Sequence, residues 1–161
     1  MKKIILIITS MFIAISAMGQ IVETSDKFEG KKEISTKAEL SKTVSVGFSK
    51  TIKEGKPTTY YMYTCVYDKY CTVTYDEVSV IFLFDDGTTQ TFSTSMSTDT
   101  SYGEYYRYWS SKLTLESGKS VFDVFGKKKI SAVKLYIFEN DVTNTDNAEQ
   151  FMKDVNFILN I

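Results

Sequence analysis

The chain has 161 residues, with 19 basic against 20 acidic side chains and a formal charge of −1 at pH 7. So even a balance lacks the basic footprint that nucleic-acid binding needs. The absence of any histidine removes the usual neutral-pH general base, the commonest zinc ligand and every Ser-His or Cys-His nucleophile pair.

The first stretch has the form of a secretory signal peptide. Lys2 and Lys3 precede an apolar run from Ile4 to Met18, and Ala17 and Gly19 occupy the −3 and −1 positions before Gln20. Residues 1–19 are expected to be removed, and no transmembrane segment is expected after cleavage. No cysteine follows the run, so a lipid anchor on a new N-terminal cysteine is not expected. Cleavage leaves 142 of the 161 residues, with 17 of the 19 basic residues against 20 acidic ones, a formal charge of −3. Residues 20–161 are expected to form a single β-rich domain, exported to the periplasm, the cell surface or beyond.

Residues 21–28 and 31–37 are two short, highly charged strand candidates joined at Glu29-Gly30, a composition that suits a sheet edge. Val44-Ser45-Val46-Gly47-Phe48 alternates cleanly and predicts a half-buried strand with Val44, Val46 and Phe48 inward. After a turn at Gly55-Lys56-Pro57, residues 58–66 and 70–75 are expected to be strands around Tyr67-Asp68-Lys69. With Asp68 at the centre, Cys65 faces Cys71, Tyr63 faces Val73 and Tyr61 faces Tyr75. Two opposed cysteines in an exported chain read as a cross-strand disulfide. The competing readings are two reduced buried thiols and a redox pair, the last poorly served by a spacing wider than Cys-x-x-Cys.

Glu77 to Phe92 carries the clearest signal. A β-branched and aromatic run, Val78 to Phe84, meets Asp85-Asp86-Gly87 and returns as Thr88 to Phe92, a hairpin pattern. Val78, Val80, Phe82 and Phe84 share one face, and Ile81 and Leu83 the other, which predicts a central strand covered on both sides in its second half. A two-residue turn pairs Ile81 with Phe92. A three-residue turn with Gly87 left-handed pairs Val80 with Phe92. The sequence leaves both open.

Ser93 to Ser101 is almost wholly serine and threonine, and it leads into Tyr102-Gly103-Glu104-Tyr105-Tyr106-Arg107-Tyr108-Trp109. This reads as a loop and then a strand from near Tyr105, continued by Leu113 and Leu115. Ser120 to Phe125, closed by Gly126, is expected to form one helical turn capped by Ser120. Lys127-Lys128-Lys129 reads as a solvated turn. Ile130 to Phe138 is expected to be a strand with Val133, Leu135 and Ile137 on the core face. Asp146, with Glu149 three residues on, is expected to cap a helix. Along it Ala148, Phe151, Met152, Val155, Ile158 and Leu159 form one apolar stripe.

The chemistry is sparse. Asp76, Glu77, Asp85, Asp86 and Glu104 keep carboxylate hydrolysis formally open, although Asp85 and Asp86 have a sufficient role in their turn. The oxygen-rich run from Asn140 to Asn147 lacks the central glycine and terminal glutamate of a calcium loop, and reads as a strand-to-helix connection with Asx turns. No metal and no cofactor is implied. The aromatic segment holds the candidate ligand-binding residues Tyr102, Tyr105, Tyr106, Arg107, Tyr108 and Trp109, because flat rings beside hydrogen-bonding groups suit a sugar or a protein partner.

Asp26-Lys27-Phe28-Glu29-Gly30-Lys31, the strand ending in Asp85-Asp86-Gly87, and the closing unit from Lys128-Lys129-Ile130 through Leu135-Tyr136 to the Glu149-Gln150 helix resemble small exported Bacteroidetes proteins of unknown function. The resemblance implies a compact β-sandwich-like domain with a terminal helix, and no activity or site residue. The expected fold is therefore mainly β: an antiparallel β-sandwich or half-open barrel of about eight strands, with one packed C-terminal α-helix. The expected function is a non-catalytic exported domain that binds a glycan or a protein. The alternatives are an assembly component that pairs through its edge strands, and a small carboxylate hydrolase.

Overall fold

The structure, a computed structural model, describes residues 21–68, 77–95, 109–135 and 138–161. Nine strands among them form two antiparallel sheets, and neither closes into a barrel. The first sheet runs β1 (Val22–Asp26), β2 (Lys31–Glu39), β3 (Val44–Lys53), β4 (Thr59–Asp68), β7 (Trp109–Ser117) in spatial order. The second runs β6 (Thr89–Ser95), β5 (Glu77–Phe84), β8 (Ile130–Leu135), β9 (Phe138–Asp141). A short helix α1 (Lys119–Phe122) continues into a 3₁₀ turn over Asp123–Gly126, and α2 (Thr145–Asn160) ends the chain. The architecture is the expected one, mainly β and sandwich-like with a packed terminal helix.

β1 lies at a sheet edge, as its charges suggest, but β2 is internal, paired to β1 and β3. Antiparallel register sets the faces, because directly paired residues share a side. Ile34, Thr36, Val44, Val46, Phe48, Tyr60, Met62, Thr64 and Val66 all turn inward and are buried. β3 departs from the half-buried expectation, since every residue from Val44 to Lys50 is buried. Its outward residues are small (Ser45, Gly47, Ser49) and sit opposite Cys65, Tyr63 and Tyr61, so larger neighbours cover them. Lys50, also buried, donates to the Ile161 carbonyl and lies 5.9 Å from the Tyr60 ring centre. Burial, and then the charges of Lys119 and Lys32, push its amine below the ordinary lysine range.

The expected strand over residues 70–75 lies outside the described residues. β3 and β7 occupy the two hydrogen-bonding edges of β4, and Cys65 sits opposite Ser45 and Lys112. Cys71 lies outside the described residues.

β5 is central in its sheet, flanked by β6 and β8. The register is the three-residue alternative. Val80 pairs with Phe92, Phe84 N–H donates to the Thr88 carbonyl at 2.9 Å, and Gly87 has φ 81°. Only glycine adopts that conformation without strain. Asp86 accepts from both the backbone N–H (3.0 Å) and the hydroxyl (2.6 Å) of Thr88, and its other oxygen lies 2.7 Å from Lys128 Nζ. The lysine cluster thus clamps the hairpin turn to the start of β8, which Asp85 N–H reinforces by donating to the Lys129 carbonyl. The second face of β5 is only partly covered among the described residues, with Ile81 half-buried. Val80, Phe82 and Phe84 are buried, but Leu83 is 37% exposed on the other face, where its cross-strand neighbours are Thr89 and Ala132.

Phenylalanines join the sheets. Phe48 meets Phe122 edge-on at 5.6 Å, and Phe125 meets Phe82 at 4.9 Å and Phe84 at 5.5 Å. Each such pair adds about 0.5–1.5 kcal/mol beyond its area burial. The connection that carries Phe122 and Phe125 is a core layer, with Gly118 rather than Ser120 at the helix start and no side-chain cap. Gly126 admits α2. A Cβ on it would stand 3.0 Å from the Asn156 Cα.

α2 buries Ala148, Phe151, Asp154, Val155, Ile158 and Leu159 and leaves Met152 half-buried. Asp154 is held in this stripe by Thr36 Oγ1 and Gln150 Nε2, each at 2.9 Å, so its charge is hydrogen-bonded where it is buried. The cap is Asn144, whose side chain accepts from Asn147 N–H at 3.1 Å, and Asp146 falls in the first turn. β8 also ends earlier than expected, at Leu135, which pairs with Phe138 of β9; Tyr136 and Ile137 lie outside the described residues.

Candidate functional site

The outer face of the five-stranded sheet carries the most developed surface. Register places Glu33, Ser35 and Lys37 of β2, Ser45, Gly47 and Ser49 of β3, and Tyr61, Tyr63 and Cys65 of β4 on one side. All of them except Ser49 and Tyr61 line a shallow groove, of about 470 Å³ around Gly47. Its floor is low because β3 contributes Ser45 and Gly47. Its wall is high because β4 contributes Tyr63 opposite Gly47.

Tyr63 lies over Gly47. A Cβ there would make an ordinary contact with Tyr63 Cδ2 at 3.6 Å and a tight one with the Thr36 carbonyl oxygen at 3.3 Å. The phenol oxygen of Tyr63 is then 3.3 Å from Ser49 Oγ. Tyr61, two residues earlier on the same face, stacks beside it with ring centres 6.3 Å apart and 20° between planes. Burial, followed by the Glu116 carboxylate, raises the Tyr61 phenol above its ordinary value, which keeps it neutral at physiological pH. The charged groups at the rim are few. Glu33 pairs with Lys31 at 3.1 Å, and this carboxylate raises the Lys31 amine above its ordinary value. Lys37 is exposed beside the groove.

Among the described residues the surface offers rings, hydroxyls, the Glu33–Lys31 ion pair and the exposed Lys37 ammonium. Among the described residues no group of three or more His, Cys, Asp or Glu converges on a common point. Asp86 is committed to Lys128 and Thr88, which hold its carboxyl well below the usual range. The oxygen-rich run after β9 is equally committed. Asn140 Oδ1 accepts from Thr43 Oγ1 at 2.8 Å, Asn144 caps α2, and Asn147 Nδ2 donates to the Glu39 carbonyl at 2.9 Å. Asp76 and Glu104 lie outside the described residues.

The segment singled out from the sequence is only partly placed. Tyr102, Tyr105, Tyr106, Arg107 and Tyr108 lie outside the described residues, and Trp109 opens β7 opposite Asp68. Tyr61, Tyr63 and Cys65 do share a face, as the alternation of β4 implies, but the strand opposite them is β3. Sequence reasoning missed the groove because it treated Gly47 as one more residue of an alternating strand. A glycine inside a strand is itself a signal of close approach, and it pointed at Tyr63.

Among the described residues no helix is long and apolar enough to cross a membrane. Comparison with known proteins brings no family model, no curated protein and no solved structure that matches the chain.

Proposed function

We propose that this protein is an exported, non-catalytic binding domain whose outer sheet face takes a glycan. The observation that carries the reading is the pair of near-parallel rings of Tyr61 and Tyr63, with Tyr63 at the edge of a groove that Ser35 and Lys37 also line. A sugar ring has an apolar face and a rim of hydroxyls. It matches a surface on which aromatic faces and small hydrogen-bonding groups lie side by side, and rigid aromatics provide that contact at low entropic cost. Export follows from the reading of residues 1–19 as a signal peptide.

The test is native electrophoresis through gels containing xylan, a β-glucan, a mannan or alginate. Retardation in at least one gel is expected, with mobility restored by Tyr61→Ala or Tyr63→Ala in variants that keep the wild-type melting profile. Equal mobility in all four gels, or retardation indifferent to both tyrosines, refutes the reading.

A further inference from the structure

Two uncovered features of the fold lie on the same side. β1 is an outer edge of the five-stranded sheet, and among the described residues no strand pairs with its free side. All five of its residues are exposed. The second feature is a flank of α2. The helix lies over β2, where Asp154 meets Thr36. One flank carries Asn156, packed on Gly126 of the 3₁₀ turn. By the helical period Phe157 lies nearer Asp154 than Asn156, so it belongs to the other flank, on the side of β1. Ile161 follows it one turn on. These two are 47% and 51% exposed, and large apolar side chains at successive turns of an open flank mark a contact surface.

We propose that two copies of this chain pair antiparallel through β1 into one continuous sheet, with Phe157 and Ile161 of the two α2 helices meeting above the junction. The groove lies on the opposite face of the sheet, so the proposal stands apart from the glycan reading. A two-fold axis perpendicular to the sheet serves both features at once. Centred on Thr24, it sets Thr24 against its own copy, Glu23 against the partner's Ser25, and Val22 against the partner's Asp26. No two acids are directly opposed, and paired threonines favour that register. The acids that would guard the edge are engaged at home. Glu23 lies 2.9 Å from Lys32 Nζ, and Asp26 accepts from the backbone N–H of Phe28 at 2.8 Å and of Glu29 at 3.2 Å. Both helices fall on the same face of the joined sheet. From β2 to the partner's β2 is three strand spacings, roughly 14 Å. Directly packed helices stand about 8–10 Å apart, so small residues would leave a gap that a phenylalanine from each side fills. A foreign strand would cover β1 and leave Phe157 bare, whereas a second copy covers both. The contact is small, and the association is correspondingly weak.

Sedimentation velocity from about 10 µM to 1 mM, the range in which such weak contacts form, is the test. The weight-average mass of the wild type is expected to rise from that of one chain toward that of a pair. Phe157→Ser and Thr24→Lys, both at exposed positions, are each expected to weaken association about tenfold or more while keeping the wild-type melting profile. Thr24→Glu is expected to do the same. An equimolar mixture of Thr24→Lys and Thr24→Glu is then expected to recover association, because the two-fold axis brings position 24 against itself and opposite charges attract there. A wild type that remains a single chain at the highest concentration overturns the proposal. So does association that withstands Phe157→Ser or Thr24→Lys, and so does a mixture of the two charged variants that stays as dissociated as each alone.

Discussion

Gly126→Ala tests how the sheets, the aromatic connection and the terminal helix are held together. Gly126 ends the 3₁₀ turn that places Phe122 and Phe125 between the sheets, and it touches α2 backbone to backbone. An added Cβ would meet Asn156 Cα at 3.0 Å and its N and Cβ at 3.2 Å. Those atoms belong to a helix anchored on either side of Asn156 by buried Val155 and Ile158, so the strain cannot be relieved by turning one flexible side chain. Overpacking of this kind costs about 1–3 kcal/mol. For a domain of this size that lowers the melting temperature by roughly 3–12 °C. Gly118→Ala is the control. Gly118 has φ −74° and nothing within 4 Å of a new Cβ, so its melting temperature is expected to change by no more than about 2 °C. Thermal unfolding followed by far- and near-ultraviolet circular dichroism measures both. If Gly126→Ala melts with the wild type and keeps its aromatic signal, α2 does not pack on the turn as closely as described.

Three further outcomes are expected. Thr64 Oγ1 is fully buried with no hydrogen-bond partner among the described residues, so Thr64→Val removes a stranded polar group at nearly constant shape and should stabilise by about 1 kcal/mol, read as a higher urea midpoint with unchanged slope. Asp86 has a carboxyl held below its ordinary 3.8 by Lys128 and Thr88; the stability it contributes is therefore complete above that pH and is lost as the pH falls through the lower folded value. Carboxyl NMR should show Asp86 titrating below 3.8, with Lys128→Met moving it back up; an ordinary midpoint in the wild type would refute the clamp. Gly47→Ala should change stability by less than about 1 kcal/mol, because relief of glycine's backbone entropy offsets the 3.3 Å contact with the Thr36 carbonyl. The same Cβ makes only ordinary contact with Tyr63, at 3.6 Å, so polysaccharide retardation is expected to persist.

Where one residue type decided the local structure, the sequence was readable. The Asp85-Asp86-Gly87 turn, the alternation of β3 and the apolar stripe of α2 each rest on short-range rules, and each is present. The errors came from decisions made at long range. β4 pairs with β3 and β7, the second of them distant in sequence. Nothing in residues 58–75 reports that pairing. Ile81 and Leu83 looked like a second buried face, yet their cross-strand neighbours are Thr91, Lys134, Thr89 and Ala132, and Ile81 is only half-buried and Leu83 exposed. Asn144 caps α2 in place of Asp146 because Thr143 and Asn144 are both held by the Leu40 carbonyl, which fixes where the helix begins.

The groove shows why a site can hide inside a well-predicted strand. Alternation in Val44-Ser45-Val46-Gly47-Phe48 identifies the core face and seems to exhaust the information, leaving serine and glycine as residues that merely tolerate solvent. Solvent does not reach them: Ser45 and Ser49 are 4% and 0% exposed. Small residues at successive outward positions make a trench only if the facing strand is large at the same positions, and β4 supplies Tyr61 and Tyr63 in the register that β3 requires. A solvated outer face would not need this match, since any polar residue opposite Gly47 would serve the fold. A ring laid across from a strand glycine also serves the fold, because it covers backbone that the glycine leaves bare, so the pairing of small with aromatic, strand against strand, shapes this face and stabilises the sheet together.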